Sequence, residues 1–233
     1  MSQAKSIKRA KIESLQTKIG FQFSDSQLLE QALTHRSASS AHNERLEYLG
    51  DAVLGTVIAD YLYQKFTRAS EGELSRLRAF LVKEKALYEV AQQIALGDFL
   101  LLGSGELKSG GFRRASILSD ALEAIIGAVY LDSDFESVRR FVLNLYQQKL
   151  SSISLDMAQK DPKTRLQEWL QARNQEIPQY QVIEESGKDH AKTYIVECEV
   201  EYRSLESKGK GTSRRKAEQD AASKILESIL NDN

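Results

Sequence analysis

The segment NERLEYLGDAVLG (43–55) carries Glu44, Glu47 and Asp51 at positions i, i+3 and i+7. On a helix this spacing places all three acids on one face. Leu46, Leu49, Val53 and Leu54 fall on the other face and need a core. A second segment, SILSDALEAIIGAVY (116–130), carries Asp120 and Glu123 at i and i+3 in otherwise apolar surroundings. A further acid, Glu71, opens EGELSRLRAFL. Acids on a helix usually only solvate it, but two features argue for chemistry here. Like charges on one stripe repel, and the basic neighbour, Arg45, lies off to the side. Asp120 and Glu123 sit in a helix apolar enough to be mostly buried, where unpartnered carboxylates are costly and a cation is the usual remedy. An all-oxygen donor set selects a hard ion, Mg²⁺ or Mn²⁺, over zinc or copper. Such an ion keeps coordination sites for water and phosphate oxygens, the construction of a metal-assisted phosphodiester hydrolase.

Two acid-bearing helices must therefore face one cleft, and the chain around them supports a helical domain. Residues 1–150 contain no proline; both prolines, Pro162 and Pro178, lie later. Val53, Leu54, Val57, Ile58, Tyr61 and Leu62 recur at helical spacing, as do Ile117, Leu118, Ala121, Leu122, Ile125 and Val129. Ser24 reads as an N-cap opening a short helix. Glycines between 97 and 111 mark a loop-rich stretch. The polar segment 151–160 reads as a linker closed by Pro162. The expected organisation is an all-α domain over 1–150, the linker 151–160 and a second domain over 161–233.

The second domain changes pattern. A short helix over 163–173 contains Trp169, residues 180–184 and 193–200 read as strands, and 203–207 as a third. A glycine-basic loop then leads into a helix over 217–230. The order is α-β-β-β-α. Trp169 and Cys198 read as core. The domain is slightly acidic, yet Lys208, Lys210, Arg214, Arg215 and Lys216 follow one another with no acid between them. Such a run is usually a solvated loop, but at a helix N-terminus it adds to that end's partial positive charge and makes a phosphate clamp.

Composition is that of a globular protein: 233 residues, 41% apolar and 28% charged, with a formal net charge of −1. A global sum near zero hides local patches and does not exclude a nucleic-acid ligand. The lone cysteine excludes an internal disulfide framework and a Cys-based zinc site. No apolar run reaches membrane-spanning length. The N-terminal MSQAKSIKRAKIESLQ has no apolar signal region, so the expected address is the cytoplasm. His35 and His42 read as surface or capping residues, with Asn43 as a possible N-cap. Gly110-Gly111-Phe112-Arg113-Arg114, with Lys108, reads equally as a phosphate contact or a structural turn.

NERLEYLGDAVL closely resembles the signature of bacterial ribonuclease III, the double-strand-specific endoribonuclease family, with Tyr48 where phenylalanine is common. GELKSGGFRRASILSDALEAIIGAVYLD resembles that family's second block. GKGTSRRKAEQDAA, in its α-β-β-β-α setting, resembles the double-stranded RNA-binding domain, with Glu218 where many such domains have lysine. The resemblance implies Glu47, Asp120 and Glu123 as ligands of Mg²⁺, with Mn²⁺ able to substitute, and no other small-molecule cofactor. It implies Asp51 and Glu123 as catalytic, and Glu44 and Glu71 as accessory, near the dimer interface and near a second metal or the nucleophilic water respectively. It implies RNA contacts at Thr164, Gln167, His190, Lys210, Arg214, Arg215 and Lys216, a homodimer without membrane attachment, cleavage leaving 5′-phosphate and 3′-hydroxyl ends, and processing of structured rRNA and mRNA precursors. A Mg²⁺-dependent endonuclease of double-stranded RNA stands against a catalytically silent RNA-binding dimer. Glu47, Asp51, Asp120 and Glu123 are all present, which favours the endonuclease.

Overall fold

A computed structural model describes residues 2–158, 160–187 and 192–231. Two compact units divide between Ala158 and Gln159. The first contains α1 (Ser2–Ile19), α2 (Ser26–Ala32), α3 (Glu44–Lys65), α4 (Glu71–Val82), α5 (Glu84–Gln93), α6 (Ser104–Lys108), α7 (Ala115–Asp132), α8 (Phe135–Leu145) and α9 (Gln147–Ser152), with 3-10 turns at Leu96–Phe99, Gly111–Arg113 and Leu155–Ala158. Among its described residues the only β-type pairing is an isolated bridge, Thr34 to Leu101. Helix α7 is the axis of the core: Ile117, Leu118, Ala121, Leu122, Ala124, Ile125, Ile126, Ala128 and Val129 are all buried. Helix α3 buries Leu46, Val53, Leu54, Val57, Ile58 and Leu62. Each such large aliphatic side chain contributes roughly 1.5–3 kcal/mol on burial.

The start of α2 differs from expectation by one residue. Asp25, not Ser24, is the N-cap, and its carboxylate accepts the Gln27 N–H at 2.9 Å. The Ser24 and Asp25 N–H groups instead donate to the Asp132 carboxylate, 2.8 Å each, which ties this turn to the end of α7. Helix α4 opens with a reciprocal cap between Ser70 and Glu73. The stretch 151–160 is partly packed rather than free: Ile153 and Ala158 are buried, and the Ala158 carbonyl accepts from Arg76 Nε at 2.6 Å.

The second unit contains α10 (Pro162–Gln171), β1 (Gln179–Ser186), β2 (Thr193–Val200), β3 (Leu205–Gly211) and α11 (Arg214–Asn231). The strands form an antiparallel sheet in the order β1-β2-β3, with an irregularity between Val182 and Glu184. Leu166, Leu170, Cys198, Val200, Ala221, Ala222, Ile225, Leu226 and Ile229 form the core, and half-buried Trp169 packs on it, edge-on to Tyr202 at 4.9 Å.

Two boundaries shift here. The third strand runs 205–211, because Tyr202–Ser204 is a 3-10 turn and Lys208–Gly211 pair with β2. The glycine-basic run therefore alternates as a strand does. Lys208 and Lys210 point outward, while Gly209 is buried against α11, where a β-carbon would lie 2.1 Å from the Ala217 carbonyl oxygen. Helix α11 begins at Arg214 rather than 217, because Ser213 Oγ accepts the Lys216 N–H at 3.3 Å. Among the described residues no helix is long and apolar enough to cross a membrane.

Candidate active site and nucleic-acid interface

Helices α3 and α7 touch backbone to backbone at Gly50 and Gly127. A β-carbon on Gly127 would lie 2.3 Å from the Leu46 carbonyl oxygen. This close crossing brings acids from separate segments together. Glu47, Asp120 and Glu123 each offer a carboxylate oxygen within 4.8 Å of the others, and all three are half-buried. Among the described residues no other group of three His, Cys, Asp or Glu side chains comes so close.

The electrostatics follow from that proximity. Burial, then the charges of Asp51, Glu47 and Asp120, push Glu123 up to about 8. Burial and the Asp120 and Glu44 charges raise Glu47, with Arg36 opposing. Burial and Glu84 raise Asp120, with His35 and Arg36 opposing. Asp51 is exposed and lies outside the close trio, yet its charge acts on Glu47 and Glu123. Tyr146, wholly buried, is also pushed upward, by burial and then by Glu123, and stays protonated.

A cleft of ≈600 Å³ opens over the trio's outer side. It is lined by His35, Arg36, Glu44, Glu47, Arg114 and Asp120, among others. The loop carrying His35 and Arg36 is held there by two bonds to the 101–103 stretch: the His35 N–H donates to the Leu101 carbonyl at 3.0 Å, and the Gly103 N–H donates to the Ser37 side-chain Oγ at 2.9 Å. Arg36 pairs with Glu44 at 3.2 Å and Arg114 with Glu106 at 2.8 Å. His42 Nδ1 accepts the Glu44 N–H at 3.4 Å and so caps α3. Asn43 occupies the N-cap position but makes no cap bond; its side-chain amide donates to the Ala32 carbonyl at 3.3 Å. Glu71 is not brought to this cleft. It lines a separate cavity with Asp60, Tyr63, Ser75 and Arg78, and accepts from the Ser75 hydroxyl at 2.7 Å. Lys108 is exposed and does not line the cleft.

A hard divalent cation fits the trio. The donors are all carboxylate oxygens, and three carboxyls raised by burial and by neighbouring negative charge are what a cation relieves.

In the second unit an open cleft of ≈470 Å³ gathers Thr164 from α10 with Arg214 and Arg215 from α11, and Asp161, Lys163, Glu218 and Gln219 complete its lining. Gln167, Lys210 and Lys216 are exposed nearby but outside that lining, and Lys216 Nζ donates to Thr212 Oγ1 at 3.2 Å. His190 falls outside the described residues.

Gly50, Gly127 and Arg36 were not singled out from the sequence; Arg114, which reads there equally as phosphate contact or turn, and His35, which reads as a surface or capping residue, both line the cleft. The glycines did leave a signal: a glycine inside a helix costs about 1 kcal/mol against alanine and marks a close approach. The long-range placement of Arg36 left none.

A helical unit with a carboxylate trio, joined to an α-β-β-β-α unit with a basic helix N-terminus, defines a two-domain nuclease of structured RNA. Residues 25–150 match the ribonuclease-III-like family model, and 162–229 match the double-stranded RNA binding motif. Ribonuclease 3 of Vibrio atlanticus is 57% identical over 94% of this chain and 98% of its own. Ribonuclease 3 of Shewanella loihica is 58% identical over 91% and 93%. The nuclease domain of ribonuclease III from Campylobacter jejuni is 47% identical, with a TM-score of 0.59, covering 61% of this chain and 97% of that one. This chain belongs to the ribonuclease III family, the double-strand-specific endoribonucleases.

Proposed function

We propose that Glu47, Asp120 and Glu123 hold Mg²⁺, with Mn²⁺ able to substitute, and that the protein uses it to hydrolyse double-stranded RNA to 5′-phosphate and 3′-hydroxyl ends. The observation that carries this is the meeting of three carboxylates from α3 and α7 within 4.8 Å. When bound, the cation supplies Lewis-acid charge at the scissile phosphate and makes water a competent nucleophile near neutrality.

The chain's own residues do the rest. Asp51, exposed one turn beyond Glu47, accepts a hydrogen bond from the attacking water and aims it at phosphorus. Glu123, whose carboxyl is raised by burial and by the Asp51 charge, is the second catalytic acid of this reading as well as one of the cation's donors. Arg36 and Arg114 on the cleft wall offer donors to phosphate oxygens once the strand displaces their carboxylate partners. Glu44 serves as an accessory acid through its pair with Arg36. Glu71 is an accessory acid outside this cleft.

Thr164 and Gln167 on α10 reach one minor groove and His190 the next, while Lys210, Arg214, Arg215 and Lys216 grip phosphates between them. This is recognition of A-form shape rather than sequence. The functional division is a nuclease domain over 1–150, a connecting segment over 151–160 and an RNA-binding domain over 161–233. The working form is a homodimer in the cytoplasm that processes structured rRNA and mRNA precursors. A second Campylobacter jejuni nuclease-domain structure concerns a region involved in dimer formation. On this chain the exposed aromatics Tyr48 (82%) and Tyr63 (73%) on α3 suit burial by a second copy.

Incubating the protein with long duplex RNA, with and without Mg²⁺, and analysing the ends tests the reading. Cleavage that proceeds equally in chelator, or that leaves 3′-phosphates, refutes it.

A further inference from the structure

By charge counting alone, an acid in the second turn of α11 should weaken a phosphate clamp. Glu218 is not placed as a loose surface charge. Its side chain is 13% exposed, and its two oxygens are taken by opposite partners: Lys163 Nζ at 2.6 Å from α10 and Arg214 Nε at 3.1 Å from its own helix. The neighbouring residue continues the tie. Gln219 Oε1 accepts the Lys163 main-chain N–H at 3.0 Å, and its Nε2 donates to Asp161 at 2.7 Å. Asp161 is the N-cap of α10. Lys163 Nζ also rests 4.2 Å from the Tyr180 ring centroid, so its ammonium has two partners at this junction. Burial would raise the Glu218 carboxyl, but Lys163 and then Arg214 hold it below the usual range, so it is ionised at neutrality.

We propose that Glu218 is a positioning residue for RNA: it latches the first turn of α10 to the first turns of α11 and sets the orientation of Arg214 and the spacing between Thr164 and the arginines. This rests on the RNA-contact reading above. An A-form duplex offers its minor-groove and phosphate contacts at fixed separation, so two contact elements held at that separation bind without an ordering cost. Without the acid, Lys163 and Arg214 face one another as like charges across the cleft. Glu218, where many such domains have lysine, exchanges one phosphate contact for a fixed geometry.

The experiment opposes the two signs. Full-length protein is titrated with a blunt RNA duplex in Ca²⁺ over a range of salt concentrations, and KM and kcat for duplex cleavage are measured in Mg²⁺. The variants are Glu218→Gln, Glu218→Lys and the exchange Lys163→Glu with Glu218→Lys. The latch predicts that Glu218→Lys, despite its added positive charge, weakens binding roughly tenfold and raises KM with kcat at saturation retained. It predicts that the exchange, which restores the pair at the wild-type net charge, recovers affinity. Glu218→Gln, a near-isostere whose fold is checked by its melting temperature, weakens binding in the same direction. Tighter binding by Glu218→Gln or Glu218→Lys overturns the proposal, as does an exchange variant no better than Glu218→Lys. Arg214→Ala with Arg215→Ala in the same assay separates the two layers. If that control binds like wild type, the RNA-contact reading fails; if it loses affinity while Glu218→Gln gains it, only the latch fails.

Discussion

The α-carbon of Gly50 faces the main chain of Glu123 so closely that a β-carbon there would lie 1.8 Å from the Glu123 carbonyl oxygen. No side chain, not even a methyl, fits that gap, so α3 and α7 can cross at this distance only with glycine.

Gly50→Ala is therefore expected to force the helices apart. Overpacking of this kind costs about 1–3 kcal/mol or more. The larger effect falls on function, because Glu47 and Asp51 ride on one helix and Asp120 and Glu123 on the other. A displacement on the order of 1 Å lowers cleavage by roughly 100-fold. Melting temperature and duplex cleavage check this; an unchanged cleavage rate would show that the crossing does not set the acids' spacing.

Stability should depend on pH in a metal-sensitive way. Glu123 is raised from its ordinary 4.5 to about 8, and Glu47 and Asp120 are raised too. A raised carboxyl means that the folded protein holds more protons than the unfolded chain between those values. The associated stability is fully present below about 4.5 and is lost as pH rises through about 8. The metal-free protein is expected to melt at progressively lower temperature from pH 5 to pH 8. Added Mg²⁺ should restore the loss most strongly at the alkaline end, because cation binding needs the carboxyls ionised. Glu123→Gln should flatten the profile, and a wild-type profile in that variant would contradict the assignment.

Removing an acid should separate catalysis from binding. Asp51→Asn and Glu123→Gln are expected to reduce cleavage by on the order of 100-fold or more while leaving duplex affinity in Ca²⁺ near wild type. The α10 and α11 surfaces that contact RNA in this reading lie in the other compact unit. A parallel loss of binding, measured by gel shift, would defeat that division of labour.

The basic turn of α11 should show in the salt dependence. Arg214→Ala with Arg215→Ala is expected to weaken duplex binding and reduce the slope of log K against log salt by roughly two. An unaltered slope would remove these residues from the phosphate contacts.

Dimer formation is open to direct measurement. Sedimentation at micromolar concentration should give twice the monomer mass, and replacing the exposed Tyr48 by aspartate should shift the species toward monomer.

Much of this protein was legible in its residues. The period of the apolar positions in α3 and α7 marked both helices, because a stripe at helical spacing has one way to reach a core. The acids were visible for the same reason: i and i+3 spacing fixes a shared face whatever the tertiary fold. The run 209–211 reads as loop in the sequence because glycine usually breaks strands; in the structure Gly209 lies in one, facing Ala217 and Ala221, where only a bare backbone fits. The helix starts at Arg214, ahead of the expected 217, because the cap belongs to Ser213, a residue common in loops as well.

What sequence alone determined is the local chemistry: which residues carry charge, which face of its helix each occupies, and the order of elements, all of which follow from backbone periodicity. What only the tertiary structure decided is which charges meet. Residues 47, 120 and 123 converge because two helices far apart in the chain cross at glycines. Arg36 reaches Glu44 because a loop bonds to Leu101 and Gly103, and Glu218 meets Lys163 because α10 and α11 pack at their N-termini. Electrostatic energy depends on distance through space, and chain separation carries no information about that distance until the core has packed.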